Sequence, residues 1–137
     1  MNMDQVDFAA YFEHVHERPP FPWQTRLAEQ VLREGRWPDL LDLPSGVGKT
    51  SAIDLALFAL AHRPDDFPRR IVLVVDRRVV VDQGAEHARK IQARLKGATE
   101  GAAGAVAGAL RALFGGGAEE APFTVSVLRG GMPRDEE

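Results

Sequence analysis

Cysteine is absent from the 137 residues of this chain, which excludes disulfide bonds and thiolate metal ligands. A chain without cysteine suits a reducing cytoplasm. Long apolar runs are also missing: stretches such as residues 56–61 are far shorter than the about 20 residues that a membrane-spanning helix needs. The opening residues, MNMDQVDFAAYF, carry acids where a secretory signal is basic and then apolar. We therefore expect a cytoplasmic protein without a membrane partner.

A surplus of basic residues is lacking as well. Lys and Arg number 17 against 20 Asp and Glu, which gives a net charge of -3. The whole-chain charge therefore does not favour nucleic-acid binding, and any such site has to be a local basic patch.

The order of predicted elements indicates an α/β fold. Amphipathic or apolar patterns predict helices over residues 4–16, 23–34, 50–62 and 79–96. Short apolar runs predict strands over residues 40–43, 71–76 and 125–128, and the second is continuous and β-branched enough to be buried on both faces. Alternating strands and helices of these lengths predict a parallel sheet with flanking helices.

We expect residues 1–37 to form N-terminal helices and residues 38–137 to form the nucleotide-binding part of the chain. The segment 97–121 consists almost wholly of Ala and Gly. Part of it, residues 105–114, has helical character, but its glycines weaken a helix, and we expect a mobile insertion.

The stretch LPSGVGKTS, residues 43–51, has the features of a phosphate-binding loop and is called the phosphate segment below. Gly46 and Gly48 allow backbone N–H groups to turn around an anion, and a helix start adds its positive dipole end. Lys49 can reach the β- and γ-phosphates of ATP, and the Thr50 hydroxyl can hold Mg²⁺. The strict motif has glycine where Leu43 stands, so the alternative is a Gly-rich turn with an incidental lysine. The predicted ATP-binding residues of the segment are Ser45, Gly46, Val47, Gly48, Lys49, Thr50 and Ser51.

The phosphate segment resembles motif I of superfamily 2 helicases, of the DEAD/DEAH type. The upstream stretch PFPWQTRL then resembles their Q motif, which implies that Gln24 recognises adenine. An amide that both donates and accepts suits the adenine edge, and Phe21 or Trp23 could stack on the base. The alternative is an ordinary glutamine on an amphipathic helix.

Two later stretches resemble DNA-contacting elements of the same helicases. In IVLVVDRRVVVDQ, the resemblance to motif Ia implies that Arg77, Arg78 and Gln83 contact the backbone of a single DNA strand. The alternatives are a solvated arginine pair, or Asp76 as the magnesium-binding acid of another kind of NTPase. In FTVSVLRGGMPRDEE, a resemblance to the helicase GG element implies DNA contacts by Arg129, Gly130 and Gly131, with a plain turn as the alternative. The final DEE has no apolar strand before it, so it is not a helicase acidic box.

Taken together, residues 21–131 resemble the helicase–nuclease of type I CRISPR systems, subtype I-U or I-G. The resemblance implies an incomplete RecA-like first helicase domain that binds ATP, Mg²⁺, single-stranded DNA and a CRISPR effector complex. No acidic box, second RecA-like domain or His-Asp nuclease motif follows, so we expect an N-terminal part of a larger enzyme that by itself neither unwinds DNA nor turns over much ATP. Two other classes stay open: a small P-loop kinase or NTPase, and a non-catalytic nucleic-acid-binding module.

Overall fold

A computed structural model describes residues 2–40, 49–74, 77–115 and 121–128 of the chain. Two short 3₁₀ turns, Met3–Gln5 and Lys49–Ser51, precede helices. The α-helices of the described part are α1 (Phe8–His16), α2 (Pro22–Glu34), α3 (Ala52–His62), α4 (Arg78–Lys96) and α5 (Gly101–Phe114).

The predicted α/β parallel sheet of a RecA-like P-loop domain is wrong for this structure. Within the described residues every regular element is helical, and neither residues 71–74 nor residues 121–128 form a strand. The run Ile71, Val72, Leu73 and Val74 is 40%, 72%, 44% and 85% exposed, where a central strand would be buried. Residues 41–43 and 75–76 of the predicted strands lie outside the described residues. A β-branched run becomes a strand only when a neighbouring strand accepts and donates its backbone hydrogen bonds, and the described chain supplies none.

The helices predicted over residues 4–16, 23–34, 50–62 and 79–96 are confirmed, with starts shifted by one to four residues. Local signals explain their ends. Asp7 caps α1 because its side-chain oxygen accepts from the Ala10 backbone N–H at 2.7 Å. Pro22 occupies the first turn of α2, where its missing N–H costs nothing, and Gly35 ends that helix at φ 71°.

Helix α5 lies inside the segment that was expected to be a mobile insertion. It begins at Gly101, four residues before the predicted helical part, and packs against α1, α3 and α4. Its buried residues follow a helical repeat of one face: Ala102, Ala103, Val106, Ala107 and Leu110. Small side chains on that face let α5 approach its neighbours closely, so an Ala-rich composition here serves packing.

The centre of the core joins α1 to α3 through aromatic rings. Phe58 of α3 meets Phe8 edge-on at 5.5 Å between ring centroids and stacks on Tyr11 at 5.6 Å. These contacts place the amino-terminal helix directly over the helix that follows the phosphate segment. None of the helices in the described ranges is long and apolar enough to cross a membrane.

Candidate functional site

The phosphate segment enters helix α3 through a single 3₁₀ turn. Residues Ser45 to Gly48 lie outside the described residues, and Lys49 is described by its backbone alone. Lys49–Ser51 form the turn, with Thr50 half-buried and Ser51 buried as the residue before the first turn of α3. The predicted magnesium ligand Thr50 therefore lies at the amino end of an 11-residue helix.

Gln24 lies inside the protein and caps its own helix. Its side chain is fully buried, and its Oε1 atom accepts from the Phe21 backbone N–H at 2.8 Å. This contact satisfies one of the free N–H groups at the start of α2. Phe21 is 42% exposed, so its ring has a face open to solvent, whereas Trp23 is half-buried against the core. The adenine-reading role of Gln24 stays a prediction.

The predicted DNA-contacting residues of the second stretch lie at the beginning of α4. Arg77 is the residue before the first turn, Arg78 is the first helical residue, and both are exposed. Gln83 is exposed on the same helix. Arg129, Gly130, Gly131 and the alternative acid Asp76 lie outside the described residues.

Sequence reasoning missed a buried cluster formed by His16, Asp54 and His87, one residue from each of α1, α3 and α4. It is called the His–Asp–His cluster below. His16 Nε2 lies 2.7 Å from Asp54 Oδ1, and His87 Nε2 lies 2.6 Å from Asp54 Oδ2. The side chains of His16 and Asp54 are 1% and 0% exposed, and that of His87 is 17% exposed. The two imidazoles also stack on each other, with ring centroids 4.9 Å apart and planes 17° apart.

The carboxylate at the centre of the cluster stays ionised. Burial by itself raises the pKa of Asp54, but the hydrogen bonds from His16 and His87 and their charge interactions outweigh burial and hold the pKa below its usual value. An ionised carboxylate only accepts hydrogen bonds, so each ring donates its Nε2–H. Each of these charge-assisted bonds is stronger than a bond between neutral groups.

Tyr11 adds a hydroxyl to the surroundings of the cluster. It is fully buried, and among the described residues its oxygen has no hydrogen-bond partner. Burial raises the pKa of Tyr11 well above its usual value, and the negative charge of Asp54 raises it further. A buried hydroxyl without a partner costs free energy and is therefore unusual.

Two of the predicted site residues lie close in sequence to members of the His–Asp–His cluster. Thr50 lies in the 3₁₀ turn that precedes α3, four residues before Asp54. Gln83 is four residues before His87 on α4, so the two lie on one face of that helix. Through its hydrogen bonds the cluster joins α3, which follows the phosphate segment, to α4, which begins at Arg78.

No local pattern announces this cluster. Asp54 is 38 residues from His16 and 33 residues from His87, so only the packing of α1, α3 and α4 brings them together. The nearby pair His14 and His16 does not share a face, as expected from its spacing: His14 Nδ1 accepts from the Ala103 backbone N–H at 3.2 Å instead. The one available signal was an acid within the otherwise apolar stretch IDLALFALA.

Comparison of the chain with protein-family models, with curated proteins and with solved structures finds no match.

Proposed function

We propose that this chain binds ATP and Mg²⁺ through residues 46–50, and that it serves as the ATP-binding part of an ATP-dependent DNA helicase or translocase of CRISPR interference. The observation that carries ATP binding is the sequence run of Gly46, Gly48, Lys49 and Thr50, which leads through the 3₁₀ turn Lys49–Ser51 into α3.

The start of α3 has the electrostatics that a phosphate needs. The first N–H groups of a helix have no partner within the helix, and the helix dipole adds about half a positive charge at that end. Gly46 and Gly48 carry no side chains that would keep phosphate oxygens from the backbone. In the sequence, Lys49 adds a positively charged residue directly before Thr50, whose hydroxyl offers an oxygen ligand to Mg²⁺.

The start of α4 has the properties of a phosphate-backbone contact. Arg77 and Arg78 place two guanidinium groups at another helix amino end, and both are exposed. Guanidinium groups bind phosphate oxygens in pairs of hydrogen bonds, and such contacts do not depend on base sequence. The single-stranded DNA of the helicase interpretation would lie across this end of α4.

Calorimetric titration with ATP and Mg²⁺ tests the nucleotide site. Wild-type protein should bind ATP, and Lys49→Ala should weaken binding by about 10- to 100-fold, because a hydrogen bond to a charged group contributes about 1.5–3 kcal/mol. Lys90→Ala, an exposed lysine on α4, is the matched control and should bind as wild type. Folded wild-type protein that bound neither ATP nor ADP would refute the proposal. A GTP titration tests Gln24: equal affinity for ATP and GTP would remove its adenine-reading role.

Fluorescence anisotropy with a labelled single-stranded oligonucleotide tests the DNA contact. Replacing both Arg77 and Arg78 with Ala should weaken binding and lower the salt dependence by about 0.7 for each lost phosphate contact. Arg26→Ala with Arg33→Ala, two exposed arginines of α2, is the matched control. Unchanged affinity and salt dependence in the Arg77 and Arg78 variant would exclude these residues from the DNA site. DNA binding that persists in Lys49→Ala while ATP binding is absent from wild-type protein would favour a non-catalytic nucleic-acid-binding module.

A further inference from the structure

The His–Asp–His cluster contains three side chains that commonly bind transition metals. Their ligand atoms, two imidazole nitrogens and a carboxylate oxygen, all lie within 4.8 Å of one another. We propose that His16, Asp54 and His87 bind a divalent transition-metal ion of the Zn²⁺ class.

The ligand types select the class of ion. Imidazole nitrogen suits zinc, copper, iron and nickel, whereas Mg²⁺ and Ca²⁺ prefer a shell of oxygens. Two histidines and one carboxylate leave a fourth position on a tetrahedral Zn²⁺ for a water molecule. The ion is therefore distinct from the Mg²⁺ that Thr50 would share with ATP, although Thr50 is only four residues before Asp54 in the sequence.

The observed geometry requires only small movements to admit the ion. Bonds of about 2 Å to a tetrahedral Zn²⁺ separate neighbouring ligand atoms by about 3.3 Å. His16 and His87 contact different oxygens of Asp54, at 2.7 Å and 2.6 Å, so binding of the ion through one oxygen lengthens that contact by about 0.6 Å. Each ring then gives up its Nε2–H for a bond to the ion.

Charge balance favours a cation at this position. Asp54 is fully buried, and its ion-pair partners among the described residues are the two imidazoles. A buried carboxylate is costly unless a positive charge or a metal lies beside it. A divalent ion supplies such a positive charge and is bound by the neutral form of histidine.

The unpartnered hydroxyl of Tyr11 is a second observation in the same part of the core. A buried polar atom that has no protein partner often marks the position of a bound water molecule or ion. Asp54 is near enough to Tyr11 for its charge to act on the hydroxyl. Phe12 packs on the ring of His16 at 4.5 Å, so aromatic side chains enclose this side of the cluster.

The competing explanation is a metal-free cluster in which a protonated histidine balances Asp54. Cobalt titration separates the two. Untagged protein is stripped with EDTA, dialysed, and titrated with Co²⁺ in excess Mg²⁺ and without nucleotide. Four-coordinate Co²⁺ has strong visible absorption bands that octahedral aqueous Co²⁺ lacks. We expect these bands at one equivalent, and we expect Zn²⁺ to abolish them by displacement. Folded wild-type protein that develops no such bands overturns the proposal.

Variants assign the ligands. His87→Gln should weaken Co²⁺ and Zn²⁺ binding by more than about 100-fold, since even residues that only support a metal ligand contribute about 10- to 100-fold. We choose His87 for replacement because its side chain is partly exposed, so removing it disturbs the packing of the core least. His62→Gln is the matched control: His62 also lies beside the core, against the Phe58 ring at 5.7 Å, but outside the cluster, and it should bind metal as wild type. Equal metal affinity in His87→Gln and wild type, with both folded by circular dichroism, also overturns the proposal. Since the titration contains no nucleotide, its outcome is independent of the ATP-binding proposal.

Discussion

Replacing Asp54 with Ala should destabilise the protein more than replacing any exposed acidic residue with Ala. Asp54 accepts hydrogen bonds from two histidines on two other helices, at 2.7 Å and 2.6 Å. Without it, both imidazoles lose their partner, and His16 stays buried with an unsatisfied nitrogen.

The size of the loss follows from the contacts. A hydrogen bond to a charged group contributes about 1.5–3 kcal/mol, and breaking a buried ion pair by removing one partner costs about 3–5 kcal/mol. We therefore expect Asp54→Ala to lower the free energy of unfolding by about 3–5 kcal/mol. That is a large share of the roughly 5–15 kcal/mol that stabilises an ordinary domain.

Urea unfolding followed by far-UV circular dichroism measures the loss in free energy of unfolding. EDTA is present so that no bound metal ion contributes to the difference between the variants. Asp66→Ala is the matched control. Asp66 also pairs with a cation, Arg63, at 2.6 Å, but its side chain is 41% exposed, and exposed pairs contribute about 0–1 kcal/mol. A loss below about 1 kcal/mol for Asp54→Ala, equal to that of Asp66→Ala, would refute the packing of α1, α3 and α4 around this carboxylate.

Two further predictions concern the helical core. Tyr11 is the chain's single tyrosine, and because its pKa is raised in the folded protein, it contributes stability below about pH 10 that is lost as the pH rises through the folded pKa. Tyrosinate absorbance should therefore appear only together with loss of the helical dichroism signal. Tyrosinate absorbance near pH 10 in protein that is still folded would contradict the burial of Tyr11. Gly104→Ala should destabilise the protein by about 1–3 kcal/mol, because an added Cβ would lie 2.6 Å from the backbone carbonyl carbon of Thr99. As the control on the same helix, the Cβ of Gly108→Ala meets nothing within 4 Å, so this variant should be more stable by about 0.5–1 kcal/mol. Equal effects of the two variants in thermal unfolding would contradict the placement of α5.

The helices were predictable because their causes are local. Asp7 caps α1, Pro22 opens α2, and Gly35 closes it, and each of these signals lies within a few residues of the helix end that it determines. Helix α5 was harder to predict, because alanines and glycines carry little periodic contrast between an apolar and a polar face. What decides its position is close packing against other helices, which a single segment does not encode.

The predicted sheet failed because a strand depends on a distant partner. Residues 71–74 have the β-branched composition of a buried strand, yet in this structure they are 40–85% exposed, with no strand beside them in the described part. Propensity describes how well a segment fits into a sheet, and it does not create the sheet. The His–Asp–His cluster was invisible for the same reason, since its members are joined by packing alone.

The most direct measurement of nucleotide binding is the backbone-amide NMR spectrum of wild-type protein during a titration with ATP and Mg²⁺. Since main-chain N–H groups are proposed to hold the phosphates, the amides of Gly46, Gly48, Lys49 and Thr50 should shift most. In Lys49→Ala these shifts should need about 10- to 100-fold more ATP. Shifts confined to other parts of the chain, or none at ATP concentrations near those in cells, would contradict the assignment of residues 46–50 as the phosphate site.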